Sequence, residues 1–408
     1  MAKRRDSYIV GLDIGTRKTC AIIAEANEAG NLDIIGIGMT ESKGLRRGIV
    51  VNLEATIESI RKVVEEAELM AGVAIESAYV GVAGNHIKGF NSRGVIAVGG
   101  RGREITREDV QRVIEAAKAV AIPPDREILH VLPQEFIVDE QDGIHDPVGM
   151  TGTRLEVNAH IVTSSITSTQ NLITCVNRAG MAVTDMVLEC IAGSEAILTF
   201  DEKELGVALI DIGGGTTDLA IFEKGSICYT SVIPIGGDSF TNDISVGLRT
   251  PIPEAEKIKK KYGCALSSML EDEETIEVPS MGGRKPRIMS RQILCEIIQP
   301  RAEETFNLVF DEIKHAGYER SLNSGIVITG GGALLEGMPE IAEQIFDLPV
   351  RRGLPTGVGG LVDVINSPIH STAVGLVLHG HANNHSRARL RASGTTFSRL
   401  THWIRDFI

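Results

Sequence analysis

The feature that most constrains this chain is a repeat. Ile9 to Ile23 carries apolar runs on either side of Leu12-Asp13-Ile14-Gly15-Thr16, and Ala208 to Phe222 repeats the pattern around Ile210-Asp211-Ile212-Gly213-Gly214-Gly215-Thr216-Thr217. In each copy a glycine turn is followed by a second apolar run, Cys20-Ala21-Ile22-Ile23 or Leu219-Ala220-Ile221-Phe222, which predicts a β-hairpin both times. A chain of 408 residues that builds the same hairpin twice is expected to fold as two similarly built lobes.

The segments between and after the hairpins predict α/β lobes. Glu54 to Ala71 places Ile57, Ile60, Val63, Val64 and Ala67 on one helical face, and Ser77 to Ala83 reads as the strand that follows. From Gly84 to Ser165 the texture changes to a glycine-rich strand pair, a helix at Arg107 to Ala119 capped by Thr106, and strands at Ile128 to Val138 and Arg154 to Thr163, which reads as an inserted subdomain. Beyond the second hairpin, Pro251 to Gly263 predicts a charged helix, Glu271 to Glu277 an acidic loop, and Ser290 to Gly317 a long amphipathic helix or helix pair. Ser324 to Leu335 returns to strand, turn and helix, and His381 to Thr396 has the composition of a flexible linker.

Charge and cysteine usage exclude several classes. A net charge of −13 opposes a nucleic-acid surface, which needs a concentrated basic face. The six cysteines lack the spacing of a zinc site or a disulfide framework and read as buried small apolar residues in a reducing compartment. The apolar run behind Lys3, Arg4 and Arg5 ends at Asp13, too short for a secretory core. No apolar stretch approaches the roughly 20 residues that span a bilayer, so membrane contact is expected to be peripheral.

Glycine turns let backbone N–H groups converge on phosphate oxygens, because no Cβ blocks the approach. Gly15 with Thr16, Arg17 and Lys18, and Gly213, Gly214 and Gly215 with Thr216 and Thr217, are candidates to clamp one phosphate chain from two sides. Asp13 and Asp211 at the turn mouths would repel phosphate directly, so their sensible role is to hold Mg²⁺ through its water shell. A third cluster, Gly330-Gly331-Gly332, follows the buried run Ile326 to Thr329 and opens a helix at Leu334 to Glu336, where a nucleoside can lie against bare backbone.

Three such turns in this order resemble the two phosphate motifs and the adenosine motif of the actin, Hsp70 and sugar-kinase superfamily. The resemblance implies an α/β, actin-like fold of two ribonuclease-H-like lobes with ATP and Mg²⁺ in the cleft. It also implies that Gly236-Gly237-Asp238 lines the cleft and that Glu256 and Lys259 hold the ribose or base; taken alone, those two residues read as a solvated helix face. Glu189 occupies the place where the superfamily orients an attacking water, with Asp211 as the second tentative catalytic group, and a buried or capping Glu189 is the competing reading. Similar bacterial actins usually carry proline where Cys190 stands, so the resemblance implies at most a weak ATPase.

The runs Gly36-Ile37-Gly38 and Gly44-Leu45-Arg46-Arg47-Gly48-Ile49-Val50, the insert, Gly282-Gly283-Arg284-Lys285-Pro286-Arg287 and Pro300-Arg301 resemble the FtsA family of bacterial cell-division proteins over nearly the whole chain. That resemblance implies a first lobe at 1–83 and 166–203, an inserted subdomain at 84–165, a second lobe core at 204–238 and 318–380, a small subdomain at 239–317, and a linker at 381–396. It implies self-association into filaments, contacts of the insert with other division proteins, and docking of the C-terminal tail of FtsZ on the small subdomain. Arg284, Arg287 and Arg301 are the candidates to meet that tail's carboxylates; unpartnered surface arginines are the alternative. The expected place of action is the cytoplasmic face of the cell membrane at the division site. A pilus-assembly actin relative and a small-molecule kinase of the superfamily are the other readings.

The terminus supplies the membrane argument. Phe397, Leu400, Trp403, Ile404, Phe407 and Ile408 fall on one helical stripe, opposite Ser398, Arg399, Thr401, Arg405 and Asp406. A stripe with the chain's single Trp and arginine flanks suits an anionic lipid surface; packing on the protein's own core is the alternative.

Overall fold

The computed structural model describes residues 8–27, 30–99, 102–271 and 274–392, with the side chains of 385–392 left aside. The expected terminal helix at 397–408 lies outside the described residues.

The first lobe starts with β1 (Tyr8–Ile14), β2 (Lys18–Ala26) and β3 (Leu32–Glu41), a meander whose inward residues, Leu12, Ile22 and Ile34 among them, are almost wholly buried. A two-residue hairpin joins β4 (Leu45–Arg46) to β5 (Ile49–Val50). Next, α1 (Leu53–Ala71) begins at Asn52, whose side chain accepts the Ala55 N–H, and stops at Gly72 in the left-handed conformation. It buries Ile57, Ile60, Val63, Val64 and Ala67, the predicted face, against β3. The approach is close enough that a Cβ on Gly38 would lie 1.9 Å from the Val63 carbonyl oxygen. β6 (Ser77–Val82) then pairs parallel to β1.

The insert is a separate sheet. β7 (Lys88–Ala97) precedes α2 (Arg107–Lys118), and β8 (Arg126–Val138), β9 (Gln141–Ile144) and β10 (Arg154–Ser165) follow, in the order β7-β10-β8-β9. The glycine-rich strand pair expected after Gly84 is instead one strand, β7, whose partner β10 lies far along the chain. The predicted Thr106 cap forms a reciprocal box with Asp109. Opposite β10 the ladder skips Gln134, beside a Pro133 that has no N–H to donate. The bulged Gln134 turns its side chain to the Ile227 carbonyl of the second lobe at 3.1 Å.

The chain returns to the first lobe through α3 (Ile166–Ala179), β11 (Ala182–Leu188), α4 (Glu189–Ile197) and α5 (Phe200–Leu205), with β11 pairing parallel to β6. The second lobe repeats the meander as β12 (Val207–Ile212), β13 (Thr217–Glu223) and β14 (Ser226–Ile233). Its small subdomain holds α6 (Gly237–Leu248), α7 (Ile252–Tyr262), the hairpin of β15 (Thr275–Val278) and β16 (Arg287–Ser290), and α8 (Arg291–Ala316). The acidic loop expected at Glu271 to Glu277 therefore gives way to strand from Thr275, because Ile276 and Val278 alternate inward. α8 is one helix despite Pro300 in its interior.

β17 (Ile326–Thr329) pairs parallel to β12, and a 3₁₀ turn follows at Gly331–Leu334. The helix expected at Leu334 to Glu336 starts later, as α9 (Met338–Phe346), because Leu335 is extended and Gly337 is left-handed. β18 (Val350–Arg352) extends the second sheet, β19 (Gly359–Gly360) extends the first beyond β3, and α10 (Val362–Ile365) is short. α11 (Ser371–Ala392) runs back under β1 and continues through residues 381–392, so the expected linker is helical over its first part. Arginine, alanine and leucine there are good helix formers and no proline interrupts them. The architecture is an actin-like α/β fold of two related lobes with an inserted α+β subdomain.

Candidate functional site

The two hairpin turns are built alike to the residue. Asp13 stands opposite Cys20 and Ile14 opposite Thr19; Asp211 stands opposite Asp218 and Ile212 opposite Thr217. Gly15 N–H donates to the Lys18 carbonyl at 2.9 Å, and Gly213 N–H donates to the Thr216 carbonyl at 2.9 Å. At the tips, the N–H groups of Thr16, Arg17, Gly214 and Gly215 meet no acceptor among the described residues. They are free to bind an anion.

The tips face each other across the cleft. A Cβ on Gly214 would lie 2.6 Å from Arg17 Cγ, and one on Gly215 would lie 2.9 Å from Thr16 Oγ1. The third glycine turn joins them from the side: β17 sets Thr329 beside Asp211, and a Cβ on Gly330, whose φ is +80°, would lie 2.1 Å from Asp211 Oδ1. Gly331 and Gly332 continue that turn. The start of α6 closes the group, with Gly237 N–H donating to the Gly213 carbonyl at 2.9 Å and Asp238 N–H to the Gly214 carbonyl at 2.7 Å, where Gly236 packs against the same backbone. The Asp238 carboxylate also pairs with the Arg17 guanidinium, so one contact bridges the lobes.

Glu256 and Lys259 are not a solvated helix face. Lys259 Nζ lies 2.8 Å from the Gly237 carbonyl and 2.7 Å from Glu256 Oε2, and Glu256 accepts from the Thr241 hydroxyl. Burial works against its charge, yet Lys259 and the Thr241 hydroxyl hold the Glu256 carboxyl down at about 2.

Acidic groups dominate the floor of the cleft. Lys18 Nζ pairs with Asp13 Oδ2 at 2.8 Å and also donates to the Ile369 carbonyl; the Asp13 charge keeps the ammonium protonated against burial. Burial, reinforced by the Asp13 charge, lifts Asp211 to about 6, although Lys18 and the Thr372 hydroxyl oppose it. Burial and Asp211 lift Asp218 to about 7. Glu189, the first residue of α4, lies against Gly81 and is pushed well above the usual carboxylate range by burial and by the three aspartates Asp13, Asp218 and Asp211. Sequence reasoning missed Asp218, and the signal for it was the hairpin register that sets it directly across from Asp211.

Carboxylates that raise one another's pKa gain from a cation placed among them. Among the described residues no three acidic, His or Cys side chains converge to chelate a metal directly. The oxygen-only donors Asp13 and Asp211 instead fit a hydrated Mg²⁺, which keeps several waters and needs few protein ligands.

The arginines expected to receive a peptide tail are only partly free. Arg301 is held by Asp243 at 2.6 Å and by Glu304, Arg287 donates to the Leu248 carbonyl at the end of α6, and Arg284 is exposed. A carboxylate arriving at Arg301 has to displace one it already holds.

Two family models match the chain: the one described as cell division protein FtsA covers residues 208–375, and the SHS2 domain inserted in FtsA covers 84–163. The cell division protein FtsA of Pseudomonas aeruginosa is 48% identical over 406 residues, covering 97% of this chain and 97% of that protein. This chain belongs to the FtsA family. Solved structures similar to this FtsA-family chain include the PilM-PilN type IV pilus biogenesis complex, with a TM-score of 0.68 at 15% identity over 91% of this chain and 98% of that one. MreB5 of Spiroplasma citri bound to ADP has a TM-score of 0.54 at 15% identity, over 96% of this chain and 100% of that one. These likenesses carry the actin-like fold.

Proposed function

We propose that this FtsA-family protein binds ATP with Mg²⁺ between its lobes, self-associates into filaments, and tethers filaments of the tubulin-like FtsZ to the cytoplasmic face of the cell membrane. The observation that carries the nucleotide reading is the convergence of three bare-backbone turns, with unpartnered N–H groups at two tips, on the acidic floor of one cleft. In this reading the tips of Gly15 to Lys18 and Gly213 to Thr217 clamp the phosphates, Gly330 to Gly332 lie against the nucleoside, and Glu256 with Lys259 frames the ribose or base. Asp13 and Asp211 would hold Mg²⁺, which supplies charge neutralisation for the phosphates when bound. The raised pKa of Glu189 fits it to hold a proton near the reacting end, and Asp218 is the second group able to exchange one.

The FtsZ tail meets the small subdomain at 239–317, with Arg284, Arg287 and Arg301 on its path, and other division proteins meet the insert at 84–165. Residues 397–408 dock on anionic lipid through Phe397, Leu400, Trp403, Ile404, Phe407 and Ile408. One such segment binds weakly, so self-association multiplies it into a lasting attachment. No helix among the described residues is long and apolar enough to cross a membrane. Co-sedimentation with anionic vesicles tests the reading: full-length protein is expected in the pellet, more so with ATP, and protein lacking 397–408 in the supernatant with its ATP affinity intact. Pelleting of the truncated protein sinks the membrane step, and absence of ATP binding sinks the cleft assignment.

A further inference from the structure

A cavity of about 570 Å³ opens beside the second turn. Its lining draws Arg17, Arg46 and Arg47 from the first lobe, and Asp238, Asp243 and Arg301 from the second. Arg17 is spoken for by Asp238 and Arg301 by Asp243. Arg46 and Arg47 form no ion pair with any described residue, in a chain of net charge −13 where acidic partners abound. Two exposed guanidinium groups therefore line this cavity without an acidic partner among the described residues.

The backbone fixes them there. Arg47 and Gly48 form the two-residue tip between β4 and β5, with φ of +50° and +75°, a turn that ordinarily selects Asn, Asp or Gly at the first position. Gly48 N–H donates to Thr16 Oγ1 at 3.1 Å, tying this tip to the first glycine turn. Arg47 Cα sits where it would be 3.0 Å from a Cβ on Gly215, tying it to the second. Gly215, whose N–H meets no acceptor among the described residues, lines the same cavity.

We propose that this cavity is a phosphoryl-anion site, in which Arg46 and Arg47 hold either the terminal phosphate of a nucleotide bound in the cleft or a free phosphate beside it. The chemistry selects a compact dianion: forked guanidinium donors match phosphoryl oxygens, and a cavity of about 570 Å³ has room for a small ligand. The assignment rests on the nucleotide reading of the cleft for its first source and stands without it for the second. It makes the lobe-one hairpin a sensor of the terminal phosphate, since loss of that group frees both arginines.

The test titrates wild type, Arg46→Ala/Arg47→Ala and Arg46→Lys/Arg47→Lys with Mg-ATP, Mg-ADP, inorganic phosphate in the presence of ADP, and pyrophosphate alone. If the nucleotide supplies the anion, the alanine variant loses about tenfold in ATP affinity and less than about twofold for ADP, with partial recovery in the lysine variant. If free phosphate supplies it, both nucleotide affinities stay, and saturable phosphate binding beside ADP disappears. Equal behaviour of wild type and alanine variant toward ATP, phosphate and pyrophosphate overturns the proposal. A wild type that binds no nucleotide sinks the cleft reading instead, and pyrophosphate binding lost in the alanine variant then still supports the cavity. ADP affinity and the circular-dichroism melting curve report whether each variant is folded; an unfolded alanine variant passes the decision to Arg47→Gln alone.

Discussion

The two glycine turns share one backbone and divide the chemistry. The first, Gly15 to Lys18, carries side chains: Thr16 anchors the Gly48 amide, Arg17 crosses to Asp238, and Lys18 neutralises Asp13. The second carries Gly214 and Gly215 at the places of Thr16 and Arg17, and its Asp211 forms no direct ion pair among the described residues, feeling Lys18 only at a distance and accepting from the Thr372 hydroxyl at 3.3 Å. Bare backbone on one side makes room for side chains on the other. A duplicated hairpin thus becomes two non-equivalent jaws, one charged and one open, and burial, with the neighbouring carboxylates, leaves Asp211 and Asp218 with raised pKa values.

The largest test of that division is Lys18→Met. It removes the cation facing the carboxylates, and denaturant unfolding is expected to show a loss of about 3 kcal/mol at pH 8. The loss should shrink at pH 5, where Asp211, lifted to about 6, holds its proton; an equal loss at both pH values breaks the comparison. Asp218→Asn examines the open jaw. A carboxyl ordinarily near 3.8 that sits at about 7 when folded keeps its proton while the unfolded chain gives its proton up, so wild-type stability falls as pH rises through that window. The variant should lack this fall and exceed wild type by about 1–2 kcal/mol at pH 8, with no difference near pH 3.5.

Gly215→Ala asks whether the bare tip is required by its neighbour. The new methyl meets Arg47 Cα and Thr16 Oγ1, and the expected cost is about 1–2 kcal/mol with weaker ATP binding; full retention of both would show that the jaws are not fitted. The smallest effect belongs to Thr16→Ala, which loses the 3.1 Å bond to Gly48 N–H and about 1 kcal/mol in thermal unfolding.

Much of this was legible in the chain itself. The hairpins appear where the duplicated pattern puts them, and the buried face of α1 is the predicted set of residues. Local rules were weaker where partners lie far apart in sequence. Glycines after Gly84 suggested a hairpin, whereas β7 pairs with a strand some sixty residues on, and nothing local encodes such a partner. Glu256 and Lys259 read as solvated because their helix is rich in lysine, until α6 was seen to bring Gly237 and Thr241 against them. Asp218 escaped notice because its importance is a matter of register across a strand pair.

The amino-acid sequence by itself determined the family, the two-lobed plan and the three bare turns, because periodicity and turn chemistry act over a few residues and survive in any copy of the pattern. Only the tertiary structure decided which turn faces which, that Asp13, Asp211 and Glu189 share the ammonium of Lys18, and that Arg46 and Arg47 have no ion pair among the described residues. Those properties depend on distances between segments far apart along the chain, where burial and Coulomb interactions are set by packing and not by spacing.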